Sequence, residues 1–251
     1  MRATRPIVPV IVTAILISCL FPSLTLSAQR TRGRAQQHLG SMMGLDARER
    51  AAEAARRTER IISYGSDITV EPDASMVVRE TIKVWSNGQQ IKRGIYRDYP
   101  TRYHDQMGNK VVVDCIVTEV LRDGKPEPFH LQEVGNGQRV YIGQQNVLLE
   151  PGEYTYTLTY TTNRELGFFK DHDELYWNVT GNGWAFPIEE ASATVHLPPG
   201  IPRQSIQLDG YTGFQGERGK DFESAAEEDQ PVTFRCTRPL DPAEGLTIVV
   251  S

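Results

Sequence analysis

From residue 61 onward, apolar and polar side chains alternate with a period of two. In PGEYTYTLTYTT, the side chains of Tyr154, Tyr156, Leu158 and Tyr160 fall on one side of an extended chain, and Thr155, Thr157, Thr159 and Thr161 on the other. Successive side chains of a strand point to opposite faces, so this stretch reads as a strand with one buried face, introduced by a Pro151-Gly152 turn. The same reading applies to Met76, Val78, Ile82 and Val84 in SMVVRETIKVW, to Val111, Val113, Cys115 and Val117 in KVVVDCIVTEVL, and to Ala191, Ala193, Val195 and Leu197 in ASATVHL. Turn-forming stretches separate these segments: EPDAS, SNGQQ, RDGKPEP, LPPGIP and the two Gly-Asn-Gly triplets at 135–137 and 181–183. Strands recurring every 10 to 15 residues, with no helical period after Arg60, predict an all-β fold over residues 61–251, an antiparallel β-sandwich of the immunoglobulin-like class.

The first 60 residues follow a different pattern. Residues 1–28 begin with Arg2 and Arg5, continue as an apolar run from Ile7 to Phe21, and end in the small residues Ser27 and Ala28, which is the layout of a signal peptide. Pro9 and Pro22 interrupt or bound the run, so cleavage near Ala28 is expected rather than a retained anchor. Two alternatives stay open: the bulky Leu26 favours retention, and Leu16-Ile17-Ser18-Cys19 loosely resembles a lipidation box. Residues 29–60 carry eight arginines against four acids and almost no large apolar side chains, so they form a linker rather than a core. Its second half, from an N-capping Asp46 to Arg60, is alanine-rich and offers a Glu53–Arg57 pair, so a solvated helix is expected there.

Charge and cysteine usage narrow the class of partner. Residues 61–251 hold 17 basic against 28 acidic side chains, a net charge of −11, which argues against nucleic acid. Cys115 and Cys236 both point inward by alternation, the second beside Val232 and Phe234. An exported compartment permits a disulfide between them, and two buried thiols acting as small hydrophobes are the alternative.

The stretches RIISYGSDITVEPDASMVVRETIKV, IKRGIYRDYPTRY, VLRDGKPEPFH, VYIGQQNVLLEPGEYTYTLTY and LGFFKDHDELYWNVTGNGWAFPIEEASATVHLP resemble the bacterial membrane-protein family known as domain of unknown function 2207. The resemblance runs from about Arg60 to Ser251. It implies an extracytoplasmic β-domain, in the periplasm or at the cell surface, attached to transmembrane helices, and it supplies no reaction. The two cysteines fall where the family pattern does not call for them. Because the chain stops in the apolar GLTIVVS, a membrane-spanning part is expected beyond Ser251.

The chemistry-bearing motifs of known hydrolases do not occur: there is no G-x-S-x-G, no H-E-x-x-H, no glycine-rich phosphate loop and no C-x-x-C. No cofactor is expected. The densest set of ionisable groups is Asp171, His172, Asp173 and Glu174, beside Tyr176 and Trp177. An extended chain would send Asp171 and Asp173 one way and His172 and Glu174 the other, and a calcium loop fails at its fifth and sixth positions, Leu175 and Tyr176. Asp171 and Asp173 remain weak metal candidates. The stronger reading is a crossover between sheets, anchored by Phe168, Phe169, Leu175, Tyr176, Trp177, Trp184 and Phe186, with the four charges solvated. Arg93 and Arg97 in RGIYRDYP are the second candidate set, either locking the acidic run or lining a groove for an anionic ligand. The residues thus favour a binding module that contacts an envelope protein or ligand, and an envelope hydrolase or metal-dependent enzyme built on the acidic run is the alternative.

Overall fold

The protein is described by a computed structural model over residues 49, 50, 53, 54, 57–104, 108, 110–228 and 230–251. The signal segment expected at 1–28 and the linker through residue 48 lie outside the described residues. The chain divides into two units, Met1–Ala55 and Arg56–Ser251. In the first, Glu49, Arg50, Glu53 and Ala54 are helical. No helix among the described residues is long and apolar enough to cross a membrane.

The second unit is almost wholly strand, and it starts slightly before the expected boundary at 61. Glu59 is buried, and its carboxylate accepts the backbone N–H groups of Asn87, Gln89, Gln90 and Ile91 at 2.7–3.2 Å. The last residues of the expected linker are therefore part of the fold.

Eight strands form the largest sheet, in the order β15 (Phe222–Ala225), β16 (Val232–Cys236), β13 (Ile188–His196), β1 (Arg60–Val70), β2 (Met76–Ser86), β10 (Gly152–Thr162), β6 (Cys115–Arg122) and β7 (Lys125–Pro126). A second sheet orders β11 (Leu166–Phe168), β12 (Asp173–Asn178), β17 (Gly245–Val250) and β14 (Leu208–Gly213). A third orders β3 (Gly94–Pro100), β9 (Gly137–Gly143) and β8 (Phe129–Val134), and β4 (Arg102–His104) pairs with β5 (Lys110–Val112).

One face of the large sheet is apolar and buried: Ile61, Tyr64 and Ile68 of β1, Met76, Val78, Ile82 and Val84 of β2, Tyr156, Leu158 and Tyr160 of β10, and Ala191, Ala193 and Val195 of β13. The opposite face carries charge pairs such as Arg79–Glu119 and Lys83–Glu153. Inward side chains of the smaller sheets, including Leu175, Trp177, Leu246 and Ile248 of the four-stranded sheet and Ile95, Tyr99, Val140 and Ile142 of the three-stranded sheet, join the same core. The all-β, sandwich-like arrangement thus follows from the alternation, since each one-sided sheet must cover its apolar face with another. In β1 a register shift between Ile61 and Ser63 returns Tyr64 to the buried face that Ile61 began.

Three expectations need correction. The ladders are not all antiparallel, because β1 and β13 run parallel over Ile61↔Ile188 to Thr69↔His196. A parallel pair needs a long connection, and the chain from β2 to β12 between these two strands provides it. Second, Cys115 and Cys236 are both free. They sit on β6 and β16, with β13, β1, β2 and β10 between them. Five strand spacings amount to roughly 24 Å along the sheet, against the roughly 7 Å that a disulfide can bridge between Cα atoms. Third, the stretch expected as a crossover, Phe168 to Phe186, is one only in its second half, and its first half, Phe168–Asn178, is a hairpin: β11 pairs with β12 in the register Phe168↔Asp173, and Phe169 N–H closes the turn on the His172 carbonyl at 2.9 Å. The sheet changes occur on either side of it, at Asn163–Glu165 and at Val179–Pro187.

Within that hairpin the aromatics divide by phase. Leu175 and Trp177 face the core, whereas Phe168, Phe169 and Tyr176 are exposed. With Trp177 at 8% exposure, Trp177→Ala is expected to cost about 3–5 kcal/mol as a core truncation. Tyr176→Ala, next to it at 55% exposure, is expected to cost about 1 kcal/mol or less. Denaturant unfolding of the two variants measures the difference, and equal costs would contradict the assigned phase.

Candidate functional site

Alternation along β2 and β3 places two charged residues where apolar ones would be expected. On β2, Glu80 lies in phase between Val78 and Ile82, and on β3, Arg97 lies in phase between Ile95 and Tyr99. Glu80 is 0% exposed and Arg97 6%. They find each other: Arg97 Nε donates to Glu80 Oε2 at 3.0 Å and Nη2 to Oε1 at 3.1 Å, a side-on bidentate pair. The Tyr99 hydroxyl donates to Oε2 at 2.9 Å and the Tyr160 hydroxyl to Oε1 at 3.1 Å. Arg97 also donates to the carbonyls of Val179 and Asp98, both at 3.2 Å. The guanidinium also lies 4.8 Å from the Tyr99 ring centre. Burial, reinforced by the Glu80 charge, pushes the phenols of Tyr99 and Tyr160 well above their ordinary range, so both stay protonated and donate.

The carbonyl of Val179 belongs to the return loop after β12, and that loop is closely built. Asn178 Oδ1 accepts the Gly181 N–H at 2.9 Å, the Trp184 indole donates to the Thr180 carbonyl at 2.8 Å, and Leu246 N–H donates to the Thr180 hydroxyl at 3.0 Å. Gly181 has φ +72°, and a Cβ there would lie 2.6 Å from Arg97 Nη1. Only glycine allows the loop to close over the guanidinium.

Beside this cluster opens a cleft of about 1190 Å3. Arg97, Tyr99, Tyr103, Tyr160, Trp177 and Trp184 are among its aromatic and cationic lining, and Asn178, Asn182 and Gly183 bring the return loop to it. Arg139 also lines it, held by a bidentate pair with Asp98 at 2.6 and 2.7 Å and stacked 4.0 Å over Tyr96. Glu165, in the short link from β10 to β11, lines the cleft with one hydrogen bond, from the Thr162 hydroxyl at 3.1 Å. Burial raises its carboxyl to about 7, against the opposing pull of that hydrogen bond. Cys115 lines the same cleft, and burial pushes its thiol up to about 12, so it stays a neutral thiol rather than a nucleophile.

Of the candidate binding residues named from the sequence, Arg97, Tyr176 and Trp177 reach the cleft, and so do Cys115 and Trp184. Arg93, Asp171, His172, Asp173 and Glu174 are not part of its lining. Arg93 Nε donates to the Gln145 carbonyl at 2.6 Å, and Arg97 is committed to Glu80, so the expected bridge from Arg97 to the acidic run is replaced by a buried pair. Asp171 and His172 occupy the hairpin turn, exposed, and pair with each other at 3.0 Å, while His172 stacks on Phe169. Among the described residues, no three His, Cys, Asp or Glu side chains are grouped to hold a metal ion.

Residues 60–251 match the family described as "Predicted membrane protein (DUF2207) N-terminal domain". The chain belongs to this family. It is 30% identical over 159 residues to the uncharacterized protein YciQ of Escherichia coli K12, which covers 63% of this chain and 25% of YciQ. The chain therefore spans a quarter of the length of that relative. Among solved structures, yeast LTA4 hydrolase in complex with bestatin has a TM-score of 0.50 at 12% identity, covering 77% of this chain and 28% of that one. An M1 zinc metallopeptidase from Deinococcus radiodurans gives 0.42 at 16% identity, covering 78% and 42%. The first shows a shared fold and nothing of the chemistry, and the second is too distant to carry an argument.

The raised Glu165 carboxyl has a measurable consequence. Between the ordinary carboxylate range and about pH 7 the folded state binds more protons at this site than the unfolded state, so its contribution to stability is present at low pH and is lost as pH rises through 7. Glu165→Gln, which cannot ionise, is expected to match the parent near pH 4.5 and to melt above it by pH 8. Thermal unfolding across that range is the check, and a difference that does not change with pH would contradict the assignment.

Proposed function

We propose that residues 60–251 act as the extracytoplasmic ligand-binding domain of a membrane protein, with the cleft beside the Glu80–Arg97 pair as its binding site. The observation that carries this reading is the cleft itself, in which aromatic rings and polar groups from all four sheets line one large concavity. The buried pair fixes the part of the wall where Arg97 meets the Val179 carbonyl. Placement outside the cytoplasm is supported by the signal-like layout of residues 1–28 and by the membrane-protein family. The hydrolase alternative rested on Asp171–Glu174, of which Asp171 and His172 lie in an exposed hairpin turn and Asp173 and Glu174 begin β12, none of them in the cleft lining, and no group of metal ligands occurs among the described residues.

Gly183 lines the cleft, and a Cβ added there meets no atom within 4 Å. Gly183→Trp is therefore expected to fill the cavity while leaving the fold intact. Screening small sugars, peptides and amines by ligand-observed NMR should yield binders to the parent that Gly183→Trp loses at an unchanged melting temperature. Binders that survive the substitution, or none at all, would contradict the cleft as a site. In the same protein, alkaline phosphatase fused after Ser251 should be active in E. coli, and an inactive fusion would contradict the placement.

A further inference from the structure

The four buried carboxylates among the described residues are all compensated. Glu59 has four backbone N–H donors, and Glu80 has Arg97 and two phenols. Glu127 pairs with Arg122 at 3.1 Å, and Glu244 takes Arg238 at 2.7 Å and the Asp241 N–H at 2.8 Å. Glu165 is partly buried, accepts the Thr162 hydroxyl, and has no cationic partner among the described residues. The arginines of the cleft do not compensate it. Arg97 is taken by Glu80 and Arg139 by Asp98, and Arg164, the preceding residue, is exposed and donates to the Val112 carbonyl. The titratable groups packed against Glu165 are Tyr103 of β4 and Cys115 of β6, both kept neutral by burial, with the Glu80–Arg97 pair behind Cys115.

A carboxyl that lines an aromatic cavity without a counter-charge is complementary to a ligand that brings one. We propose that the cleft binds a ligand bearing a primary ammonium group, with Glu165 as the carboxylate that receives it. The ammonium supplies both the missing positive charge and N–H donors for the carboxylate oxygens not used by Thr162. Tyr103, 38% exposed, belongs to the same lining, and its ring is of the type that a cation favours. The net charge of −11 on residues 61–251 draws cations toward the domain. Such binding selects the ionised carboxylate and so releases a proton on association below neutral pH.

This inference rests on the cleft being a binding site, and its test separates the two. Butylammonium is the probe, because an alkyl amine keeps its charge from pH 5.5 to 8.0. Calorimetric titration of the full chain should show affinity rising about 30-fold over that range, following the ionised fraction of a carboxyl near 7. Glu165→Gln should lose the binding at pH 8.0 while matching the parent's melting temperature near pH 4.5. Butanol, the uncharged probe of similar size, should not show the rise. Affinity for butylammonium that is independent of pH, unchanged in Glu165→Gln, or matched by butanol would overturn the proposal. So would butanol binding that weakens as pH rises, which would make Glu165 a neutral donor instead. If other probes bind the parent and are lost in Gly183→Trp while butylammonium does not bind, the ammonium assignment falls and the cleft remains. If Gly183→Trp changes nothing, both fall.

Discussion

The arrangement of the three sheets depends on one buried ion pair. Glu80 stands on the large sheet, Arg97 on the three-stranded sheet, and the Val179 carbonyl that Arg97 also binds begins the loop leaving the four-stranded sheet. Removing two charges from water costs several kcal/mol for each, and the cost is offset only where every remaining donor and acceptor is satisfied. Here the guanidinium and the carboxylate together meet two phenols and two carbonyls, so the requirement is largely fulfilled. A shift of β3 by one residue would place Tyr96 or Asp98 opposite Glu80 and leave a carboxylate buried alone. Apolar side chains would tolerate such a slip better, and we infer that the pair serves register more than net stability.

The same pair shapes the cleft. Because Arg97 is held from both sides, the return loop closes over it at Gly181, which keeps Asn182 and Gly183 at the cavity edge. The crossover from β10 to β11 forms the opposite margin, and there the chain must change sheets within three residues. Arg164 takes φ +56° to make that turn, and Glu165 is drawn into the lining next to Thr162. A strained link between two sheets thus leaves one carboxyl without a counter-charge beside an aromatic wall. The domain's acidity, its membrane-protein family and the cavity then bear on one question, which is what this cleft receives.

Much of this was legible in the residues, and the limits have physical causes. Alternation identified the buried faces of β2, β10, β13 and β16, and the polar residues within those faces carried information too. Glu80 and Arg97 sit in phase with their apolar neighbours, so each could have been marked as a buried charge in search of a partner. That they partner each other could not be read, because β2 and β3 lie in different sheets. Likewise Cys115 and Cys236 do point toward the core, yet inward phase says nothing about the four strands between them. Strand phase also divides Tyr176 from Trp177 correctly, whereas a count of aromatics put both in or beside the core. Glu165 left no periodic trace, since its burial comes from a sheet-to-sheet link rather than from a strand.

The central claim is that Glu80 and Arg97 are coupled, and a double-mutant cycle tests it most directly. Glu80→Ala and Arg97→Ala should each cost about 3–5 kcal/mol, because each leaves the other charge buried alone. The double variant should cost clearly less than the sum, with a coupling of about 2 kcal/mol or more, as residues in one network do. Chemical denaturation of the four proteins gives all the terms. Additive losses, or single losses below about 1 kcal/mol, would contradict the account.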